Sequence, residues 1–142
     1  MISKTGLHAI RALAALAELP QGTYAGAGAI ADKVNAPRNY LGKLLQMLAR
    51  EGLVISQKGL NGGFRLAREA KTITLLDVVE PIEHVSRWSE CFLGKKVCED
   101  ETACVVHFQW KSVRSQYAQF LMGTTVEDLL KHGEHLLGVK EV

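Results

Sequence analysis

IADKVNAPRNYLGKLLQMLAREGLVISQKGLNGGFRLA, residues 30–67, is the stretch that decides the fold. Two helical stripes meet around Pro37. Ile30 and Val34 mark the inward face of a short helix over Ala27–Lys33, and Leu41, Leu44, Leu45 and Leu48 mark that of a second, from about Arg38 to Glu51, which Gly52 stops. Asn35-Ala36-Pro37 makes the turn between them, with proline expected at the first position of the second helix. Helix, short turn and helix is the helix-turn-helix arrangement, whose second helix enters the major groove of duplex DNA. Apolar residues then alternate on either side of Asn61-Gly62-Gly63, from Leu53-Val54-Ile55-Ser56 to Phe64-Arg65-Leu66, which reads as a hairpin around an Asn-Gly turn. A hairpin directly after a recognition helix is a wing.

With its leucines facing inward, the second helix exposes Arg38, Asn39, Tyr40, Lys43 and Gln46. Arginine and lysine neutralise phosphates or bond guanine, while Asn and Gln pair with adenine edges. Lys58 and Arg65 lie where a wing touches the backbone or the minor groove. Taken singly, a basic residue is most simply a solvated one, which is the expectation for Lys33 and Arg68. The charge distribution agrees with the set. Residues 1–70 hold nine Lys and Arg against four Asp and Glu, and residues 71–142 hold eight against eleven. A basic first half and an acidic second half imply that only the first meets a polyanion such as double-stranded DNA.

Working outward, Ser3 is the expected N-cap of a first helix carrying Leu7, Ile10, Leu13, Ala14 and Ala17, broken at Pro20-Gln21-Gly22. Thr74-Leu75-Leu76-Asp77 has capping-box spacing and opens a short helix that Pro81 is expected to close. A long helix is predicted from about Ala103 to Met122, with Val106, Trp110, Val113, Tyr117, Phe120 and Leu121 as its apolar stripe. Thr124 or Thr125 caps a last helix carrying Val126, Leu129 and Leu130. The fold class is therefore mostly α with a small β-hairpin wing: a winged helix-turn-helix followed by a long C-terminal dimerisation helix. The expected divisions are a DNA-binding region over 1–80, a ligand loop over 81–104, and a dimerisation and terminal part over 105–142.

That loop holds Cys91, Cys98 and Cys104, the chain's three cysteines, and His107 follows. An odd count argues against a closed disulfide framework, and thiols this near in sequence can converge on one soft metal centre. The C-x2-C or C-x4-C pairs usual for structural zinc are absent. Longer, irregular spacing suits an iron–sulfur cluster, whose iron atoms lie farther apart than the ligands of one ion. Two-iron and four-iron clusters both remain open. His107, three residues beyond Cys104, shares its helix face and is a candidate fourth ligand, or else packs beside Trp110.

The GLV…KG…GG-F-x-LA wing string, SKTGLHAIRAL at the start, ITLLDVVEPIE, and the C-x6-C-x5-C-x2-H set followed by TTVEDLL together resemble the iron–sulfur winged-helix transcription regulators, the IscR/NsrR-like family, along nearly the whole chain. The resemblance implies a homodimer that binds operator DNA and carries one cluster per subunit on Cys91, Cys98 and Cys104. It also implies that Asn39 and Tyr40 lie on the DNA-facing part of the recognition helix. IscR-like members complete the ligand set with a histidine at the place of His107. NsrR-like members draw a ligand from the first helix of the partner subunit, which makes His8 the alternative, although there the pattern has an acid.

The remaining features narrow the class. A 47% apolar and 23% charged composition is ordinary for a globular domain, and no segment approaches the roughly 18 apolar residues of a membrane span. Few cysteines and no export signal imply the reducing cytosol. No Ser/His/Asp order, phosphate loop or paired-carboxylate site points to an enzyme. A zinc- or thiol-based regulator would keep the winged head and change the metal chemistry. An iron–sulfur electron-transfer protein would not need that head.

Overall fold

Ser3 starts the first helix as its sequence predicts: its hydroxyl accepts from the Gly6 backbone N–H at 3.0 Å, and α1 runs Lys4–Ala17. The computed structural model describes residues 2–89, 91–94 and 99–131; Cys98, His132 and His135 lie outside them. The next helix, α2, spans Ala27–Val34 and ends on Asn35 in the left-handed conformation, at φ 57°. Asparagine tolerates that region better than most residues, and its N–H bonds back to the helix carbonyls. The recognition helix α3 spans Arg38–Arg50, and Pro37 sits one position before its expected place, as the extended N-cap.

Strand β1 (Val54–Gln57) pairs antiparallel with β2 (Gly63–Leu66) in the register Val54↔Leu66 to Gln57↔Gly63. The Asn-Gly pair is therefore not a two-residue hairpin turn. Residues 58–62 form a longer loop, closed by the Gly62 N–H on the Gly59 carbonyl at 3.0 Å. The base of the wing is bonded to the link between α1 and α2, with Ala25 and Phe64 exchanging N–H···O bonds of 2.9 and 2.8 Å. Gly63 makes this possible. It has φ 134°, and a Cβ there would lie 2.4 Å from the Ala25 oxygen.

A capping box at Thr74 and Asp77 opens α4, Leu75–Glu83. Pro81 does not close it; the helix continues through the proline to His84, at φ 53°. Proline forfeits one backbone bond, here to the Asp77 carbonyl four residues back, but its fixed φ is helical and only the last turn follows. The long helix α5 spans His107–Gly123 and so starts later than the expected Ala103, because Asp100–Thr102 form a separate 3-10 turn and Ala103 is extended. Thr125 caps α6, Val126–Leu130, with Asp128 completing a second capping box.

The core lies beneath α3. Leu13, Leu41, Leu45, Leu48, Ile73 and Val78 are fully buried, each contributing about 1.5–3 kcal/mol on apolar burial. Leu121 and Val126 join it, and α6 packs back on α1. By contrast, Phe108, Val113, Phe120 and Met122 along α5 are all more than half exposed.

Candidate nucleic-acid interface and metal centre

The inward leucine stripe of α3 turns Arg38, Asn39, Lys43 and Gln46 outward, and all four are exposed. With Arg50 they rim an open groove between α2, α3 and the wing, floored by Gly28 and Gly42; none of its lining residues is acidic. Arg50 was passed over in the sequence because it falls at the helix end, beyond the charged residues that flank the turn. Arg38 pairs with Asp32 of α2: Nη2 donates to Oδ2 at 2.7 Å and Nε to Oδ1 at 3.3 Å. The hydrogen bonds that Asp32 accepts first, and its charge second, raise the Arg38 pKa above the ordinary value. No spacing rule points to this pair, since a separation that spans a turn has no helical period.

Tyr40 departs from the expected exposed position. It is half-buried, its ring sits edge-on to His8 at 5.5 Å, and its hydroxyl donates to Thr5 Oγ1 at 2.9 Å. Position 40 lies on the flank of α3 that meets α1, between the leucine stripe and the open face. Lys58 is exposed in the wing loop beside the fully exposed Leu60. Arg65 lies lower, on β2, with its guanidinium 4.9 Å over the Tyr24 ring.

The second centre lies where α4 gives way to α5. After the 3-10 turn Val85–Ser89, Cys91 is buried, and its Sγ lies 3.9 Å from Cys104 Sγ. A disulfide would need about 2.05 Å. Two thiolates on one tetrahedral metal, at about 2.3 Å each, stand roughly 3.8 Å apart. The described pair is therefore close enough for two thiolates to share one metal ion, and among the described residues no group of three metal-ligating side chains forms. Leu93 N–H points at Cys91 Sγ from 3.4 Å, a contact that favours thiolate. Cys98 would be the third donor and lies outside the described residues.

His107 opens α5, and its backbone N–H bonds the Cys104 carbonyl at 3.1 Å. Its ring is 2% exposed, and Nε2 lies 2.8 Å from Asp100 Oδ1. An ionised carboxylate only accepts, so Nε2 carries the proton. The bond from His107, followed by that from Lys111, holds Asp100 below the usual carboxylate range. A carboxylate on one ring nitrogen is an arrangement that orients an imidazole. His8 is placed differently: it is 4% exposed, on the flank of α1 that packs against Tyr40. Cys104 thus precedes α5 and does not share a helix face with His107, while His8 lies against Tyr40 of its own chain.

A helix-turn-helix and wing sharing one cationic face define a winged-helix DNA-binding protein. The chain belongs to the Rrf2 family, whose profile, described as an iron-dependent transcriptional regulator, matches residues 2–132. It is 35% identical over 142 residues to a protein of Aquifex aeolicus (strain VF5) assigned as an HTH-type transcriptional regulator, covering 98% of both chains. Among solved structures it is similar to CymR, the global cysteine regulator of B. subtilis, with a TM-score of 0.76, 28% identity, and coverage of 93% of this chain and 97% of that one. It is also similar to T. potens IscR, with a TM-score of 0.76, 25% identity, and coverage of 99% and 93%. The protein is a transcription regulator and not an enzyme. Among the described residues no helix is long and apolar enough to cross a membrane.

Proposed function

We propose that this regulator binds operator DNA as a homodimer, under the control of an iron–sulfur cluster held by Cys91, Cys98, Cys104 and His107. The observation that carries the reading is the 3.9 Å approach of the Cys91 and Cys104 sulfurs. The family description as iron-dependent supports the choice of metal. When bound, such a cluster supplies a centre that changes with redox state, nitric oxide or iron supply.

The chain's own residues do the rest. Burial of Cys91 keeps water from one thiolate, and Leu93 N–H steadies it. Asp100 fixes the His107 ring. The cysteine segment begins just past α4 and ends at α5, so its order bears on both. The end of α4 is tied to the head, because Glu83 accepts from the Ser3 backbone N–H at 2.8 Å and also bonds the Ser3 hydroxyl. Ordering or releasing the ligand segment thereby biases how two heads are spaced on half-sites about one helical turn apart. The exposed apolar side chains of α5 supply the surface between subunits.

Protein purified without oxygen is expected to be brown and to hold both iron and acid-labile sulfide, and Cys98→Ala is expected to bleach it. Holo and apo protein compared on one operator by gel shift should differ in affinity. A colourless protein with one zinc per chain would overturn the cluster and leave a zinc-based regulator.

A second reading is favoured by the same cysteine pair and by the likeness to a cysteine regulator. Cys91 and Cys104 would then lose two protons and two electrons to a peroxide or disulfide oxidant and close a bond. Metal-free protein whose mass falls by two hydrogens on mild oxidation, with a matching change in operator affinity, would support it.

A further inference from the structure

We propose that Asp32 sets operator specificity: by clamping one edge of the Arg38 guanidinium it presents the opposite edge to a guanine in each half-site. The proposal rests on the reading that α3 faces the bases, and adds to it a residue of α2 that need touch no DNA.

Arg38 is the first residue of the recognition helix, and N-terminal residues of such helices reach base edges. Its guanidinium offers donors in a flat, rigid fork. Asp32 occupies the edge formed by Nε and Nη2. The far edge, formed by Nη1 and the second hydrogen of Nη2, carries two parallel N–H groups. That is the pattern that matches O6 and N7 of guanine, and adenine spoils it by placing a donor where O6 would be. The side chain also crosses a glycine of α2. A Cβ built at Gly28 would meet Arg38 Nη1 at 3.5 Å and Cδ and Cζ at 3.6 Å, so the arginine passes over Gly28 with room for no more than a methyl group between them.

The energetics favour a role in orientation over one in stability. The two side chains are 70% and 60% exposed, and surface pairs of this kind contribute little to folding. An acid beside a cationic DNA face also weakens binding to every sequence through repulsion of phosphates. What the pair gives in return is restriction of a side chain that otherwise samples many rotamers. That restriction pays only where one base must be told from another.

The test is selection of preferred sites from randomised duplex by the full-length protein, followed by titration of the selected duplex and its single-base variants. Wild type, Asp32→Asn, Arg38→Ala, Arg38→Lys and the double variant Asp32→Asn with Arg38→Ala are compared. Wild type should prefer guanine at one base pair per half-site by about tenfold or more, the range of one bidentate pair. Asp32→Asn should cut that preference several-fold at that base pair alone, while affinity for other sequences holds or rises. Arg38→Ala should abolish the preference, and Arg38→Lys should lose it while keeping most of the affinity. In the Arg38→Ala background, Asp32→Asn should leave base preference unchanged. Thermal melting should differ little among these surface variants.

Unchanged selectivity in Asp32→Asn would overturn the proposal while leaving α3 as the reading helix. An equal loss of affinity at all sequences in Arg38→Ala, with a shallower salt slope, would also overturn it by making Arg38 a phosphate contact. Failure of the wild type to select any sequence would overturn the base-reading role of α3 and this proposal together.

Discussion

The Tyr40 hydroxyl donates to Thr5 Oγ1 at 2.9 Å, and this bond joins the recognition helix to the first turn of α1. The same turn begins at Ser3, which is bonded to Glu83 at the end of α4. One turn of α1 therefore touches both the DNA-reading helix and the element that leads into the cysteine segment. Tyr40→Phe removes the hydroxyl and keeps the ring on His8. It should cost about 1 kcal/mol, the usual net contribution of one hydrogen bond, read from urea unfolding. Operator affinity should fall by a similar factor at every sequence, with base preferences intact. A change in preferred bases would return Tyr40 to the DNA face that its place in the sequence suggested.

Acid should release the start of α4. Burial pushes the Asp77 pKa up, but the Thr74 backbone N–H, Arg68 and the Thr74 hydroxyl together pull harder and leave it below the ordinary value. A carboxyl depressed in the folded state stabilises the fold above its unfolded pKa of about 3.9, and that contribution is lost as pH falls through the folded value. Wild type should thus lose stability below about pH 4, in the ordinary carboxylate range. Asp77→Asn should be less stable at neutral pH and lose less over the same interval. Urea unfolding at a series of pH values checks this, and the difference should shrink in salt because the Arg68–Asp77 pair is exposed.

Local patterns carried most of the fold, and contacts across turns carried what they missed. The leucines of α3, the capping box at Thr74 and Asp77 and the alternating wing strands each fix an element within a few residues, and all three lie where the sequence pattern predicts. Pro81 misled because a helix tolerates proline when only one turn remains to be made. The α5 start misled because residues before His107 are held in a 3-10 turn and extended chain that bring Asp100 to the His107 ring. At the site, the exposure of Lys43 and Gln46 follows from the leucine stripe. The Arg38–Asp32 pair and the Tyr40–Thr5 bond depend on how α2 and α1 sit against α3, and no spacing rule encodes that.

Salt dependence separates the remaining cations. Lys43 on α3 and Lys58 in the wing loop are exposed and have the freedom to meet phosphates. Lys43→Ala and Lys58→Ala should each lower the slope of log affinity against log salt by on the order of one unit per subunit, uniformly across sequences. Arg65→Ala should behave differently, because it also removes the guanidinium from the Tyr24 ring at the base of the wing. A loss of affinity with a smaller change in slope is expected there, measured by fluorescence titration between low and moderate salt.

The outer side of α5 gives the last test. Val113 is 52% and Phe120 54% exposed, while Leu121 on the same helix is buried in the chain's own core. Val113 and Phe120 are seven residues apart, so they lie nearly one above the other along one side of α5, and the Phe120 ring stacks on Tyr117 at 6.3 Å. A surface of this kind is stable in water when a second copy covers it. Val113→Glu places a charge in the middle of that seam, where an unpaired carboxylate would have to be desolvated for two subunits to meet. Wild type is expected to sediment as a dimer and the variant as a monomer at the same concentration, with helical content retained, since the substituted side chain lies outside the intrachain core. Its affinity for a full operator should drop steeply while that for an isolated half-site stays the same, because the two heads then bind without the gain in effective concentration that a shared helix provides. A Val113→Glu protein that remains dimeric would move the subunit interface away from this face of α5.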